Sequence, residues 1–139
     1  MIILDTNVLS TLMSSVPDRR VIAWLDKQPR ISLWTSSVTV LEIRYGLQIL
    51  PAGKRRARLT KAFERVLTEL MERRIAPFDA EAALEASDLM AIRHKVGRNV
   101  ELRDTMIAAI ALACRATLAT RNTVHFDDLS VPVINPFAE

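Results

Sequence analysis

One stretch, Met1-Ile2-Ile3-Leu4-Asp5-Thr6-Asn7, indicates the fold of this chain more clearly than any other. It is a short apolar run that ends abruptly on a carboxylate, and such a run is typical of a buried parallel strand. The carboxyl ends of parallel strands are where α/β sheets place their chemistry. We therefore expect Asp5 at the mouth of a crevice, where the rest of the chain can bring other polar groups to it.

Apolar segments and helical patterns alternate along the remainder of the chain. Strands are predicted at residues 2–4, 31–35, 74–77, 117–120 and 131–134. The longest helical patterns between them include residues 38–50, capped by Ser36 or Ser37, and a helix that Asp79 caps and Gly97 closes. We expect this second helix to pack its apolar residues inward, namely Ala82, Ala83, Leu84, Ala86, Leu89, Met90 and Ile92. This alternation predicts an α/β sandwich around a mainly parallel sheet of four to five strands. A length of 139 residues without a flexible linker predicts a single domain over residues 1–139.

The composition excludes several classes of protein. Half of the residues are apolar and a quarter are charged, which is a globular profile. No apolar run approaches the ~20 residues that span a bilayer, and the first strand lacks the basic region of a signal peptide. We therefore expect no membrane segment and a cytoplasmic location. Cys114 is the sole cysteine, so no internal disulfide can form, and its apolar surroundings predict a buried thiol.

Three separated carboxylates lie beside apolar sequence, namely Asp5, Glu42 and Asp104. Taken singly, the two aspartates could serve as helix caps and Glu42 could be an exposed helix position. In a parallel sheet, however, strand carboxyl ends and the helix N-termini that follow them share one edge, where the three acids should converge. Clustered carboxylates need a compensating cation. Oxygen ligands favour Mg²⁺ or Mn²⁺, and the chain has no Cys/His cluster for zinc.

Basic residues are concentrated in two runs, although the net charge is only +3. The first run comprises Lys54, Arg55, Arg56, Arg58, Lys61 and Arg65, and the second comprises Arg93, His94, Lys95, Arg98 and Arg103. Either run alone could be a solvated helix face. Beside an acidic centre, the two runs favour a polyanionic partner such as a nucleic acid. His94 and His125 have no carboxylate or nucleophile at a telling spacing, which favours surface or turn roles for both.

The order of these motifs resembles a known family. The segments Leu4-Asp5-Thr6-Asn7, SVTVLEIRYG at 37–46 and LRDTMIA at 102–108 are similar to those of the PIN-domain nucleases. The tail, with LATRN at 118–122, HF at 125–126 and INPF at 134–137, resembles the VapC and FitB-like branch. The resemblance implies a PIN-like three-layer sandwich and a metal-dependent ribonuclease, usually the toxin of a toxin–antitoxin pair. It also implies a VapB- or FitA-type antitoxin as partner and a homodimer.

The same resemblance implies roles for individual residues. The metal-binding and catalytic acids would be Asp5, Glu42 and Asp104. The mechanism adds further roles from residue type and position. Thr6, Asn7 and Thr120 are candidate auxiliary donors, with ordinary capping or turn bonding as the alternative, and Asn122 could coordinate an ion through water. Lys54, Arg55, Arg58 and Arg103 would guide the RNA backbone. The chain departs from the family pattern after the fourth strand, because Asn122 and His125 occupy places where an acid is frequent, and the number of metal ions stays open.

Two other functions remain open from the sequence. An aspartyl-nucleophile phosphoryl-transfer enzyme also begins with a strand that ends in aspartate, but commonly has a second aspartate where this chain has Asn7. A catalytically weak binding protein could keep the fold and receive a partner helix in an apolar groove. The residues expected to offer that apolar surface are Val8, Leu12, Tyr45, Leu47 and Ile49.

Overall fold

Residues 1–138 are described by a computed structural model, in which five short strands form one parallel sheet. The strands are β1 (Ile2–Leu4), β2 (Leu33–Ser36), β3 (Ile75–Ala76), β4 (Thr117–Ala119) and β5 (Val133–Ile134). They lie in the order β3-β2-β1-β4-β5, and every neighbouring pair is parallel. The predicted parallel α/β sheet is confirmed, and its central strand is the one that ends at Asp5.

Six α-helices flank this sheet. They are α1 (Thr6–Met13), α2 (Arg19–Asp26), α3 (Ser37–Ile49), α4 (Lys54–Arg65), α5 (Ala80–Lys95) and α6 (Leu102–Cys114). A π-helical turn, Val66–Leu70, continues α4. Side-chain oxygens cap five of the helices, at Asp5, Asp18, Ser36, Asp79 and Glu101. Because Glu101 caps α6, the cap that Asp104 could have supplied is already filled.

The sheet separates two apolar cores, as a three-layer sandwich requires. Successive residues of β1 point to opposite faces, so Leu4 packs on one side and Ile3 on the other. The Leu4 side is covered by α1 to α4, with the fully buried Val8, Leu9, Val21 and Met71. The Ile3 side is covered by α5 and α6, with the fully buried Ala82, Ile107, Ile110 and Phe126. With both faces covered, the accessible polar groups of the strands lie at the strand ends.

Helix α5 buries a narrower stripe than its sequence predicts. Ala82, Ala86 and Leu89 pack inward, whereas Leu84, Met90 and Ile92 were expected inside and are exposed. The expectation was wrong because α5 packs mainly against α6, and one neighbouring helix covers a single i, i+4, i+7 stripe. The next position on that stripe holds a buried arginine, Arg93.

The segment predicted as a strand at 31–35 begins instead with a 3₁₀ turn, Arg30–Ser32, and only then enters β2. The guanidinium of Arg74 explains the turn, because it donates to the carbonyl oxygens of Arg30 (2.6 Å) and Leu33 (2.8 Å). It also donates to Leu70 O at 3.1 Å. Arg74 therefore ties the start of β2 to the end of the π-helical turn, away from Asp5.

Two further expectations about burial are wrong. Cys114 is exposed because α6 ends there and Arg115 turns the chain away in a left-handed conformation (φ 51°). Val8 and Leu47 lie in the core and offer no apolar surface, whereas Tyr45 and Ile49 of the same proposed groove are exposed. Within residues 1–138 no helix combines the length and apolarity needed to cross a membrane.

Candidate functional site

A cleft of about 720 Å³ opens at the carboxyl end of β1 and contains all three acids singled out in the sequence. We call it the carboxylate cleft. Asp5 enters it directly after β1, Glu42 from the second turn of α3, and Asp104 from the first turn of α6. Asn7 and Asn122 also line it. The parallel topology thus brings together acids that are 37 and 62 positions apart in the chain.

Asp5 is the buried centre of the cleft, with only 3% of its surface exposed. Its Oδ1 accepts from the backbone N–H of Thr6 at 2.8 Å, and its Oδ2 accepts from the hydroxyl of Thr120 at 2.7 Å. Burial raises the pKa of Asp5 from 3.8 to about 6, helped by the charges of Asp104 and Glu42 and opposed by the two hydrogen bonds. The carboxylate is therefore fixed in position but costly to keep ionised without a cation.

Glu42 is oriented by the first residue of α1. The hydroxyl of Thr6 donates to Glu42 Oε1 at 2.8 Å, and its oxygen lies 3.2 Å from the hydroxyl of Thr39. Thr39 in turn lies 3.3 Å from the hydroxyl of Ser36, which caps α3. A chain of hydroxyls thus links the carboxyl end of β2 to the Glu42 carboxylate and holds it toward Asp5.

Asp104 has a partner that the sequence did not suggest. Its Oδ2 lies 3.0 Å from Nδ1 of His125, which is in the 3₁₀ turn Thr123–His125 after β4. His125 lies in an exposed turn, as expected, but it also contacts an acid of the cleft. The two residues are 21 positions apart, so no local spacing predicts that they pair. The one indication in the sequence was that His125 occupies a place where an acid is frequent in the family pattern.

The loop after β4 is joined to β1 by a polar network. The Thr120 oxygen accepts from the backbone N–H of Asn122 (3.0 Å) and from Asn7 Nδ2 (3.3 Å). Asn7 Oδ1 accepts from the backbone N–H of Arg121 at 3.1 Å. Thr6 and Thr120 therefore hold the acids in place, and Asn7 holds the loop after β4. Asn122 lines the cleft.

The basic residues are distributed unevenly around the cleft. Lys54, Arg55 and Arg58 lie on α4, outside the cleft lining. Arg103 pairs with Glu101 at 3.0 Å, and its Nε is 3.9 Å from Glu42 Oε2.

Arg121 was not predicted as a site residue, although it is the one basic residue among the described residues that line the carboxylate cleft. Its guanidinium stacks 3.9 Å above the ring of Phe137. This stacking holds a cation at the cleft wall without neutralising it.

The groups in the cleft fit a hard divalent cation. Three carboxylates and the amide oxygens nearby are oxygen donors of the kind that Mg²⁺ and Mn²⁺ prefer. Within residues 1–138, however, no group of three or more His, Cys, Asp or Glu side chains is placed so that it could hold a metal ion. The donors thus have the chemistry that suits a divalent cation but not the spacing of a preformed metal site.

The chain is similar to known proteins of one family over nearly its whole length. The PIN domain family model matches residues 2–131. Over 137 residues the chain is 41% identical to the VapC ribonuclease Y4jK of Sinorhizobium fredii, covering 99% of this chain and 98% of the relative. It is 36% identical to Toxin FitB of Neisseria gonorrhoeae over 99% of both. The crystal structure of FitAcB from Neisseria gonorrhoeae matches with a TM-score of 0.89 and 35% identity, covering 100% of both chains.

Proposed function

Because the chain belongs to the PIN domain family, we propose that it is a metal-dependent endoribonuclease and the toxin of a VapBC- or FitAB-type pair. The observation that carries this proposal is the meeting of Asp5, Glu42 and Asp104 in one cleft at the carboxyl end of the central strand. The relatives named VapC ribonuclease and Toxin FitB, each matched over nearly the whole chain, support the same activity and biological role.

The oxygens of the three acids would hold Mg²⁺ or Mn²⁺. When bound, such an ion supplies a Lewis acid for a phosphate oxygen and lowers the pKa of a bound water. The burial of Asp5 supports this assignment, because a carboxylate removed from water beside two further acids is stabilised by a bound cation.

The other residues of the site would hold the acids and the substrate. Thr120 and Thr6 fix the two oxygens of Asp5, and Thr6 also fixes Glu42. Arg121, which is exposed and stacked on Phe137, would contact a phosphate of the RNA. Lys54, Arg55 and Arg58 on α4 and Arg103 beside Glu42 would guide the RNA backbone further out. In hydrolysis, water forms a new P–O bond in line with the leaving ribose oxygen, whose P–O bond breaks. A carboxylate can accept the proton of the attacking water, and the leaving oxygen takes up a proton from solvent.

The aspartyl-nucleophile alternative has less support. Such enzymes commonly have a second aspartate two positions after the nucleophile, where this chain has Asn7. Asn7 donates to Thr120 Oγ1 and accepts from the backbone N–H of Arg121, so its side chain joins β1 to the loop after β4. A carboxamide cannot supply the acid–base chemistry of that second aspartate.

We also propose a VapB- or FitA-type antitoxin and a second copy of this chain as protein partners, acting in the cytoplasm. Leu41, Tyr45 and Ile49 form an exposed apolar stripe on α3 at i, i+4, i+8 spacing, which supports a protein interface on this helix. A catalytically weak binding protein would use the same surface, so the interface does not distinguish it from a nuclease.

Cleavage of RNA by the purified chain, without antitoxin, tests the proposal. We expect cleavage with Mg²⁺ or Mn²⁺, none with EDTA, and loss of cleavage in Asp5→Asn and Asp104→Asn. Asp26→Asn, at an exposed carboxylate of α2, is the matched control and should cleave normally. Cleavage that persists in both Asp5→Asn and Asp104→Asn would contradict the assignment, and absence of cleavage by folded wild type over a broad panel of RNAs would favour the binding protein.

A further inference from the structure

Arg93 on α5 is a buried charge that the proposed chemistry does not use. Only 3% of its surface is exposed. Its Nε and Nη2 donate to Asp128 Oδ2 and Oδ1, both at 2.9 Å, in a bidentate pair. Its Nη1 donates to the hydroxyl of Thr105 at 2.9 Å, and its Nη2 also donates to the backbone oxygen of His125 at 3.0 Å. One side chain thus joins α5, the start of α6 and the loop after β4.

These contacts reach both members of the Asp104–His125 pair, of which Asp104 lines the carboxylate cleft. Thr105 directly follows Asp104 in α6, and the backbone of His125 carries the ring whose Nδ1 lies 3.0 Å from Asp104 Oδ2. Arg93 therefore closes a ring of contacts that runs from Asp104 through Thr105, Arg93 and His125 back to Asp104. Moving the guanidinium would move His125 relative to Asp104.

A contribution to stability alone does not account for this arrangement. Burying an arginine is costly, and apolar residues of similar volume often replace buried ion pairs without loss of stability. The same loop is already fastened at its exposed side by Arg98, which donates to Asp127 at 2.7 Å and to Val124 O at 2.6 Å. What Arg93 adds is a direct link between the backbone of His125 and Thr105, the neighbour of Asp104 in the first turn of α6.

We propose that Arg93 is a positioning residue that holds His125 against Asp104 and so fixes the orientation of the Asp104 carboxylate in the cleft. The catalytic consequence rests on the proposed nuclease function, whereas the positioning itself does not. Supporting groups of this kind, which orient a metal-binding side chain, typically change metal affinity or activity by about 10–100-fold when altered.

The first test is Arg93→Lys compared with Arg74→Lys. Lysine keeps the charge but loses the planar bidentate geometry. Arg74 is a matched control, because its guanidinium also joins separate elements through several hydrogen bonds, in its case to three backbone carbonyls, but lies away from the cleft. We expect Arg93→Lys to lower kcat on RNA by about 10-fold or more with KM nearly unchanged, and Arg74→Lys to leave kcat unchanged.

The second test does not depend on nuclease activity. The chain has two histidines, so nitrogen NMR at pH 8.5 can resolve the tautomer of His125 with the exposed His94 as internal reference. In wild type, the contact with the Asp104 carboxylate should place the His125 proton on Nδ1. Arg93→Lys should move that proton partly to Nε2, as should Asp104→Asn, whereas Arg74→Lys should not.

The two readouts separate the possible failures. Wild-type kcat together with an unchanged His125 tautomer in Arg93→Lys would overturn the proposal. If Arg93→Lys changes the His125 tautomer but the wild-type chain cleaves no RNA, the positioning role of Arg93 is supported and the proposed nuclease function is contradicted. If Arg93→Lys does not fold, Asp128→Asn replaces it, since it weakens the same bidentate pair from the exposed side. The same tautomer shift is expected, and its absence there would overturn the proposal.

Discussion

Replacing Asp5 with asparagine should stabilise the metal-free protein at neutral pH, although it removes a central residue of the site. Burial raises the pKa of Asp5 from 3.8 to about 6. Because the folded-state value is the higher one, the native state favours the protonated carboxyl. The fold is therefore most stable below about pH 4 with respect to this group, and it loses stability as the pH rises through about 6.

The size of the effect follows from the two pKa values. Ionising Asp5 in the folded protein costs about 3 kcal/mol at pH 7.5, at 1.36 kcal/mol for each unit between 3.8 and about 6. Asparagine avoids this cost but places an NH₂ group against Thr120 Oγ1, which already accepts from Asn7 and Asn122. One unmade hydrogen bond costs about 1 kcal/mol. The expected net gain for Asp5→Asn in EDTA is about 2 kcal/mol at pH 7.5.

Urea unfolding in EDTA at pH 7.5 and pH 4 measures this gain, with Asp26→Asn as the control for loss of an exposed charge. The advantage of Asp5→Asn should disappear at pH 4, where wild-type Asp5 is protonated. With Mg²⁺ the order should reverse, because an ion at 100 times its dissociation constant adds about 2.7 kcal/mol to wild type alone. If Asp5→Asn is less stable than wild type in EDTA at pH 7.5, or if the difference does not depend on pH, then ionised Asp5 does not destabilise the metal-free fold.

Three further predictions concern Thr120, Arg58 and Cys114. Thr120→Val removes the 2.7 Å hydrogen bond to Asp5, so it should cost about 1.5–3 kcal/mol and move the pH midpoint of Mg²⁺ binding upward in calorimetric titrations. Arg58→Gln should weaken RNA binding and lower the slope of log K against log salt by about 0.7, whereas Arg115→Gln, at the opposite end of α6 from Asp104, should change neither. Cys114 is exposed and partial desolvation raises the pKa of its thiol, so a thiol reagent should label it stoichiometrically in the folded protein, faster as the pH rises.

Much of the fold could be predicted from local sequence because local rules determine it. The apolar run before Asp5, the caps at Ser36 and Asp79 and the glycine after α5 each act within a few residues. The convergence of Asp5 and Asp104 also followed, because parallel topology places strand ends and helix starts on one edge. What failed was burial on α5, since the number of neighbouring helices decides which of Leu84 or Leu89 is covered.

The supporting contacts of the site could not be predicted in the same way. His125 reaches Asp104 across 21 positions, and Arg93 reaches Asp128 across 35. No periodicity or spacing encodes such pairs, because they depend on how the loop after β4 folds back over α5 and α6. The sequence therefore suggested the acids but not the groups that orient them.

Hydrolysis of a single-stranded RNA in ¹⁸O-labelled water, with Mg²⁺ or with EDTA, distinguishes metal-assisted attack by water from attack by the RNA itself. If acids holding a metal ion direct water to phosphorus, the product phosphates should carry ¹⁸O with Mg²⁺, and no cleavage should occur with EDTA. Cleavage that continues in EDTA and leaves unlabelled 2′,3′-cyclic phosphate ends would show that the RNA's own hydroxyl is the nucleophile and that the three acids do not act through a metal ion.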